Sequence, residues 1–249
     1  MLLLISPSRV MDLSHQKKDV QSSTPLFEAE ADKIAERMKG MDLEDMSRFM
    51  EEDDHMARET MDLYQHFSSA PEKPALFAYA GKVYKAIDPM TLTADQLDFA
   101  VKHLRIISTL YGYLHPLDRI KAYRINFSLH YEDGNLYDFW KPKITPLLKK
   151  DADRTGNLIL DFTAHNVIKA VDLSGISESE IIHVDFKDYK KDKDEYMTIR
   201  AYAQPAKGAL IGYILRNKID DPEKVKEFKY EGYTYNHLLS DETNMVFTR

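Results

Sequence analysis

Cysteine is absent from the 249-residue chain, which excludes disulfides, thiolate metal ligands and redox sensing through sulfhydryls. No apolar run approaches the roughly 18 residues that a membrane span requires. The opening MLLLIS is too short for a signal-peptide core and has no basic segment before it, so a cytoplasmic protein without membrane association is expected. Positive charge is also in deficit: the formal net charge is −7. A protein that coats nucleic acid usually carries a positive excess, because phosphate contacts supply most of that affinity. Any nucleic-acid role here therefore needs a local basic cleft on an acidic body.

Enzyme signatures are missing too. The chain has no HExxH, Walker loop, GxSxG or GxGxxG, and no histidine pair at ligand spacing. Its nine histidines are scattered singly and read as surface or satisfied core residues. Asp53-Asp54-His55 can be drawn as a metal site, but it sits in an acidic helical stretch that a solvated face explains better. No metal, cofactor or catalytic residue is assigned. Enzymatic activity stays open, with the sequence pointing away from it.

What is present is an ordinary globular composition, 43% hydrophobic and 30% charged, enough for a real core. Leu2 to Ile5 suits a buried strand. Thr24-Pro25 reads as the start of a helix ending near Gly40, and Asp42 and Glu52 open two more. ALFAYA and KVYKAI, on either side of Gly81, read as a strand, a turn and a second extended piece. Thr93 and Gln96 form a capping box before a helical pattern. LYDFW begins a helix running to Lys150, and NLILDF is a buried-strand pattern. IIHVDF and EYMTIRAYA flank a charged turn as a hairpin; Pro205 starts a helix through Asn217, and YTY and MVF are strand-like. With no internal repeat, linker or boundary, the expectation is a single mixed α/β domain over residues 1–249, a mixed sheet with surrounding helices.

Basic residues sit beside backbone-exposing positions. Arg9 follows the first strand, where ligands of α/β sheets tend to bind. Lys82 adjoins the Gly81 turn, and Lys207-Gly208 falls in the first turn of the Pro205 helix, where free N–H groups favour an anion. Gly208 and Gly212, four apart, permit close packing of another backbone. The densest stretch is HLRIISTLYGYLHPLDRIKAYR, His103 to Arg124. Here the Thr93 helix is expected to run on and break at Gly112, with another turn from Pro116. The resulting helical hairpin would cradle a phosphate, with Arg105, Arg119, Lys121 and Arg124 around it. Tyr111, Tyr113 and Tyr123 offer planes for stacking or, alternatively, are core residues.

The ordered set LLISPSR (Leu3 to Arg9), GKVY (Gly81 to Tyr84), the His103–Arg124 block, LYDFW (Leu136 to Trp140), Lys207-Gly208, EGY (Glu231 to Tyr233) and VFTR (Val246 to Arg249) resembles the bacterial peroxide-stress protein YaaA family across the whole chain. The resemblance implies a mixed α/β domain with a helix-hairpin-helix-like element, a positively charged cleft, DNA binding, and a role in limiting damage by peroxide and intracellular iron. The chain also departs from the pattern. Thr109 replaces the first hairpin glycine of SGLYG, and His115 replaces the arginine of LRPLD. Ile125-Asn126 stands where the family has YRLE, and Asp161-Phe162-Thr163-Ala164 replaces NLAS, with Lys169 still in register. Gln204-Pro205-Ala206 removes two cations from KKARG.

Two readings follow. In the first, Arg105, Arg124, Lys169 and Lys207 contact DNA phosphates without sequence preference, Arg9 and Lys82 lie nearby, and Tyr111 or Tyr123 stacks beside Gly112 and Gly208. In the second, the same cleft holds a small anionic, nucleotide-like ligand. A scaffold with every cation paired internally is the bland alternative.

Overall fold

The apolar opening run becomes β1 (Leu2–Ile5) in the computed structural model, which describes all residues except 16–17, 51–52 and 177–180. Three helices follow: α1 (Glu28–Lys39), α2 (Leu43–Met50) and α3 (Asp54–Gln65). β2 (Lys73–Pro74) leads through α4 (Ala75–Ala78) and α5 (Lys82–Ile87) to α6 (Ala94–His103). β3 (Leu104–Ser108) and β4 (Gly112–Leu114) precede three two-residue strands, β5 (Arg119–Ile120), β6 (His130–Tyr131) and β7 (Gly134–Asn135). The long α7 (Leu136–Arg154) returns the chain to β8 (Ile159–Asp161), and α8 (His165–Ile168) comes before β9 (Ile181–Lys190). β10 (Glu195–Met197), α9 (Arg200–Asn217), α10 (Pro222–Val225), β11 (Thr234–Tyr235) and β12 (Asn244–Thr248) complete it. No helix among the described residues is long and apolar enough to cross a membrane.

Eight strands form the main sheet in the order β11-β12-β9-β8-β1-β3-β4, with β10 beside β9. The five strands β12, β9, β8, β1 and β3 run parallel, and β4, β10 and β11 are antiparallel. This is the mixed α/β architecture that the interleaved sequence pattern implies. Parallel strands are covered on both faces, which is why β1 reads as an unbroken apolar run and is wholly buried. The Thr93–Gln96 capping box and the β8 strand form as read from the sequence. The β9–β10 hairpin forms too, but its second strand is only Glu195–Met197, and the RAYA expected to extend it opens α9. Glu52, the expected start of the third helix, lies outside the described residues; Asp53 caps α3 by accepting the Met56 N–H at 3.0 Å.

Three expectations are corrected. The α6 helix stops at His103, and Leu104–Ser108 is a strand paired with β1, not a helical continuation. Short apolar runs are ambiguous between helix and strand, and burial of all five residues against β1 decides for the strand. The block therefore folds as a β-hairpin with Ser108 opposite Gly112, and no helix-hairpin-helix element is built from it. ALFAYA and KVYKAI hold α4 and α5 in place of extended pieces; α5 is selected by its packing across α9. Finally, α9 begins at Arg200, so Pro205 lies inside the helix. Lys207 and Gly208 are then beyond the first turn, and the free N–H groups expected there belong to earlier residues.

Gly112 holds the β-hairpin through a φ of +66°. A Cβ there would fall 2.5 Å from the Trp140 ring, which is fully buried and donates its indole N–H to the Thr109 carbonyl at 2.9 Å. Gly112→Ala is expected to lose about 2–4 kcal/mol from backbone strain and overpacking together, measured by urea denaturation.

Candidate functional site

From β1 the chain passes to β3 on one flank, then crosses to β8 on the other and continues outward through β9. The strand order thus reverses at β1, and the crevice beyond the carboxyl ends of β1 and β8 is a topological switch point, where α/β sheets bind ligands. The loops leaving these strands are tied together: the Ala164 N–H donates to Ser6 Oγ at 2.8 Å, and the Tyr84 hydroxyl donates to the Ser6 carbonyl at 2.8 Å. Close approach draws further elements in. A Cβ on Gly81 would meet Ser8 Oγ at 2.5 Å, and one on Gly208 would meet the Val83 carbonyl oxygen at 2.1 Å. Glycine at both positions lets the β1 loop sit on the start of α5, and α5 lie against α9.

The residues expected at a binding cleft separate into two groups. Arg9, Lys82 and Lys169 are exposed on the segments around this crevice, and none forms an ion pair among the described residues. Arg9 reaches Asn126 Oδ1 at 3.3 Å. Arg124 is partly buried, with Glu59 at 3.8 Å and the Met56 sulfur at 3.9 Å. Lys207 is partly buried, and burial lowers its pKa from the usual lysine value against the opposing influence of Asp185 and Asp161. Gly208 serves the α5 contact.

The second group is structural. Arg105 is 5% exposed near the amino end of β3, where Nε donates to Asp151 at 2.7 Å and its guanidinium also reaches the Val101 and Leu104 carbonyls. It is an interior ion pair, not a phosphate contact. Tyr111 and Tyr123 are 3% and 7% exposed and present no face for stacking. The Tyr111 hydroxyl accepts the Lys121 N–H at 3.1 Å, and the Tyr123 hydroxyl bonds to those of Tyr79 (2.7 Å) and Ser108 (2.8 Å). Burial pushes all these phenols upward in pKa. Gly112 faces Trp140 and makes no cradle for a phosphate.

A further constellation lies one strand along. Asp161, 5% exposed at the end of β8, is in register with His183 on β9. The His183 Nδ1–H donates to Asp161 Oδ2 at 2.8 Å, while Oδ1 accepts the Thr163 N–H at 2.8 Å. The hydrogen bond to Asp161 raises the His183 pKa above the ordinary imidazole value, opposed by burial and by Lys207. Two residues beyond Asp161, Thr163 Oγ1 is the buried side-chain polar atom without a partner among the described residues. Asp185, on the same face of β9 as His183, accepts the Thr198 hydroxyl at 3.0 Å. The sequence reading passed over His183 as one scattered histidine. The available signal was the pair of strand patterns NLILD and IIHVD, but only their register brings Asp161 beside His183.

A larger cavity, about 870 Å³, opens at the amino ends of the strands beside His103, Arg105, Asp151, Arg154 and Asp220. Arg105 there is paired with Asp151 and the Met1 amine with Asp220, while Lys102 on its rim is exposed without an ion pair among the described residues. The carboxyl end, with its unpaired cations, is the candidate site. Among the described residues, no three His, Asp or Glu side chains converge as metal ligands.

The family model described as "Peroxide stress protein YaaA" matches residues 1–239. The chain belongs to that family. A "UPF0246 protein" of Parabacteroides distasonis is 34% identical over 253 residues, covering 99% of both chains. One from Clostridium beijerinckii is 34% identical over 256 residues, covering 100% of this chain and 98% of its own. A third, from Bacteroides thetaiotaomicron, is 32% identical over 253 residues, with 99% and 98% covered. Membership in the YaaA family supports a stress-related role for the protein.

Asp161→Asn is expected to lower the His183 pKa, read by NMR titration of the imidazole. Because the folded pKa is raised, the stabilisation is fully present below about pH 6.5 and is lost as pH rises through the folded value, so the variant's deficit should shrink in alkaline solution. Arg105→Ala removes the buried ion partner of Asp151, which keeps the Tyr113 hydroxyl and Arg154, and is expected to cost about 3 kcal/mol in urea denaturation.

Proposed function

We propose that this is a cytoplasmic stress-response protein that binds DNA through the cations at the carboxyl ends of β1 and β8, and so limits damage by peroxide and intracellular iron. The observation that carries this reading is the exposure of Arg9, Lys82 and Lys169 around one crevice with no ion partner among the described residues, on a chain of net charge −7. Unpaired cations retained on an acidic body suit a polyanion, since phosphate binding releases counterions from the nucleic acid. Arg124 and Lys207 extend the basic surface, while Arg105, Tyr111 and Tyr123 belong to the interior. Contacts of this kind go to the backbone and carry no sequence information.

A small nucleotide-like anion in the same crevice is the second reading, favoured by the partly buried Lys207 ammonium, which makes no hydrogen bond to the described residues. Fluorescence anisotropy with duplex, single-stranded and branched DNA across a salt series tests the first. Binding should weaken steeply with salt, and Arg9→Ala, Lys82→Ala and Lys169→Ala should each reduce the slope by about one. Failure to bind any DNA form at low salt overturns it. Saturable binding of ATP, abolished by Lys207→Ala, would then favour the small ligand.

A further inference from the structure

We infer that Asp161 and His183 form an acid–base dyad serving a second site, where an ester with a compact apolar part is hydrolysed. This does not rest on the DNA reading. The dyad has the geometry of a positioned base: Asp161 is buried, one oxygen is held by the Thr163 N–H, and the other takes the His183 Nδ1–H at 2.8 Å. That bond fixes the imidazole tautomer and leaves Nε2 as the acceptor. Nε2 has no partner among the described residues, and the side chain is 46% exposed.

His183 opens on a cavity of about 650 Å³. Its described lining adds an apolar surface, Leu173, Ile176 and Ile181, and the neutral polar groups of Ser174, Thr243 and Asn244. The apolar residues of that lining suit a ligand with a compact apolar part. The cavity lies within the size range of small-molecule sites. The charged groups facing His183 are Asp161 from β8, Asp185 from its own strand and Lys207 from α9.

The only co-reactant required is water, which the half-exposed imidazole meets directly. Nε2 takes a proton from water as the oxygen bonds to the acyl carbon. The ester C–O bond then breaks, and the departing oxygen is protonated by the imidazolium, returning His183 to neutrality. Asp161 acts as a positioning residue that stabilises the imidazolium; it does not take the proton.

The test is p-nitrophenyl acetate hydrolysis by the full chain, with released acetate and nitrophenol both quantified across pH. The wild type should exceed an equal concentration of free imidazole, with an inflection that matches the His183 pKa measured by NMR. His183→Gln should lose about 10²–10⁴ of the rate enhancement while keeping its circular dichroism and DNA binding. Asp161→Asn should move the inflection to lower pH and reduce the rate, whereas Ser174→Ala should retain it. A wild-type rate no greater than that of imidazole, full activity in His183→Gln, or an inflection unmoved in folded Asp161→Asn would overturn the proposal. Because His183→Gln removes an exposed side chain, its result stands even if Asp161→Asn fails to fold.

Discussion

Leu2–Ile5 is hydrogen-bonded to Leu104–Ser108 on one flank and to Ile159–Asp161 on the other, and no residue of it meets water. Each of these side chains contributes about 1.5–3 kcal/mol by burial, an upper figure because unfolded chains already hide some surface. The pairing has a larger consequence than its energy. By taking neighbours from opposite sides of the chain's path, β1 becomes the strand where the sheet reverses direction, and the crevice beyond it collects the Ser6 and Ala164 loops.

The same constraint explains why so many polar residues of the His103–Arg124 block are interior. Once Leu104–Ser108 is committed to the sheet, Arg105 must satisfy itself within the fold, and Asp151 on α7 together with two backbone carbonyls does so. The tyrosines that follow are likewise satisfied inside: the Tyr123 hydroxyl joins those of Ser108 and Tyr79, the Tyr111 hydroxyl accepts the Lys121 N–H, and the Tyr113 hydroxyl donates to Asp151. Within the block Arg119 is exposed but paired with Glu72 at 3.6 Å. The cations of the candidate crevice without an ion pair among the described residues come from the loop after β1, the start of α5 and the end of α8. Basic rim and acid–base dyad meet at the end of β8, which carries Asp161 and leads to Lys169, and Lys207 is electrostatically coupled to the dyad.

Elements with strong local signals were legible in the sequence. A continuous apolar run, a reciprocal Thr93–Gln96 cap and a pair of alternating strands around a charged turn each encode their structure within a few residues. The failures share a cause. LRIIS, ALFA and KVYKAI are short apolar segments with no decisive period, and the partner each packs against selects strand or helix. Loop position and family resemblance single out Arg9, Lys82 and Lys169, and the structure leaves all three exposed. Arg105, Tyr111 and Tyr123 were misplaced because residue type does not report burial.

Composition and local pattern by themselves determined the class of this protein: thiol-free, acidic overall, mixed α/β and ordered like the YaaA family. Tertiary structure alone decided which cations face water, where the strand order reverses, and that Asp161 stands beside His183. Those are properties of register and packing between segments far apart in the chain. A one-residue slip of β9 against β8 would turn His183 to the other face of the sheet and bring out Val184 and Phe186, so the burial of those two side chains holds the register that pairs His183 with Asp161.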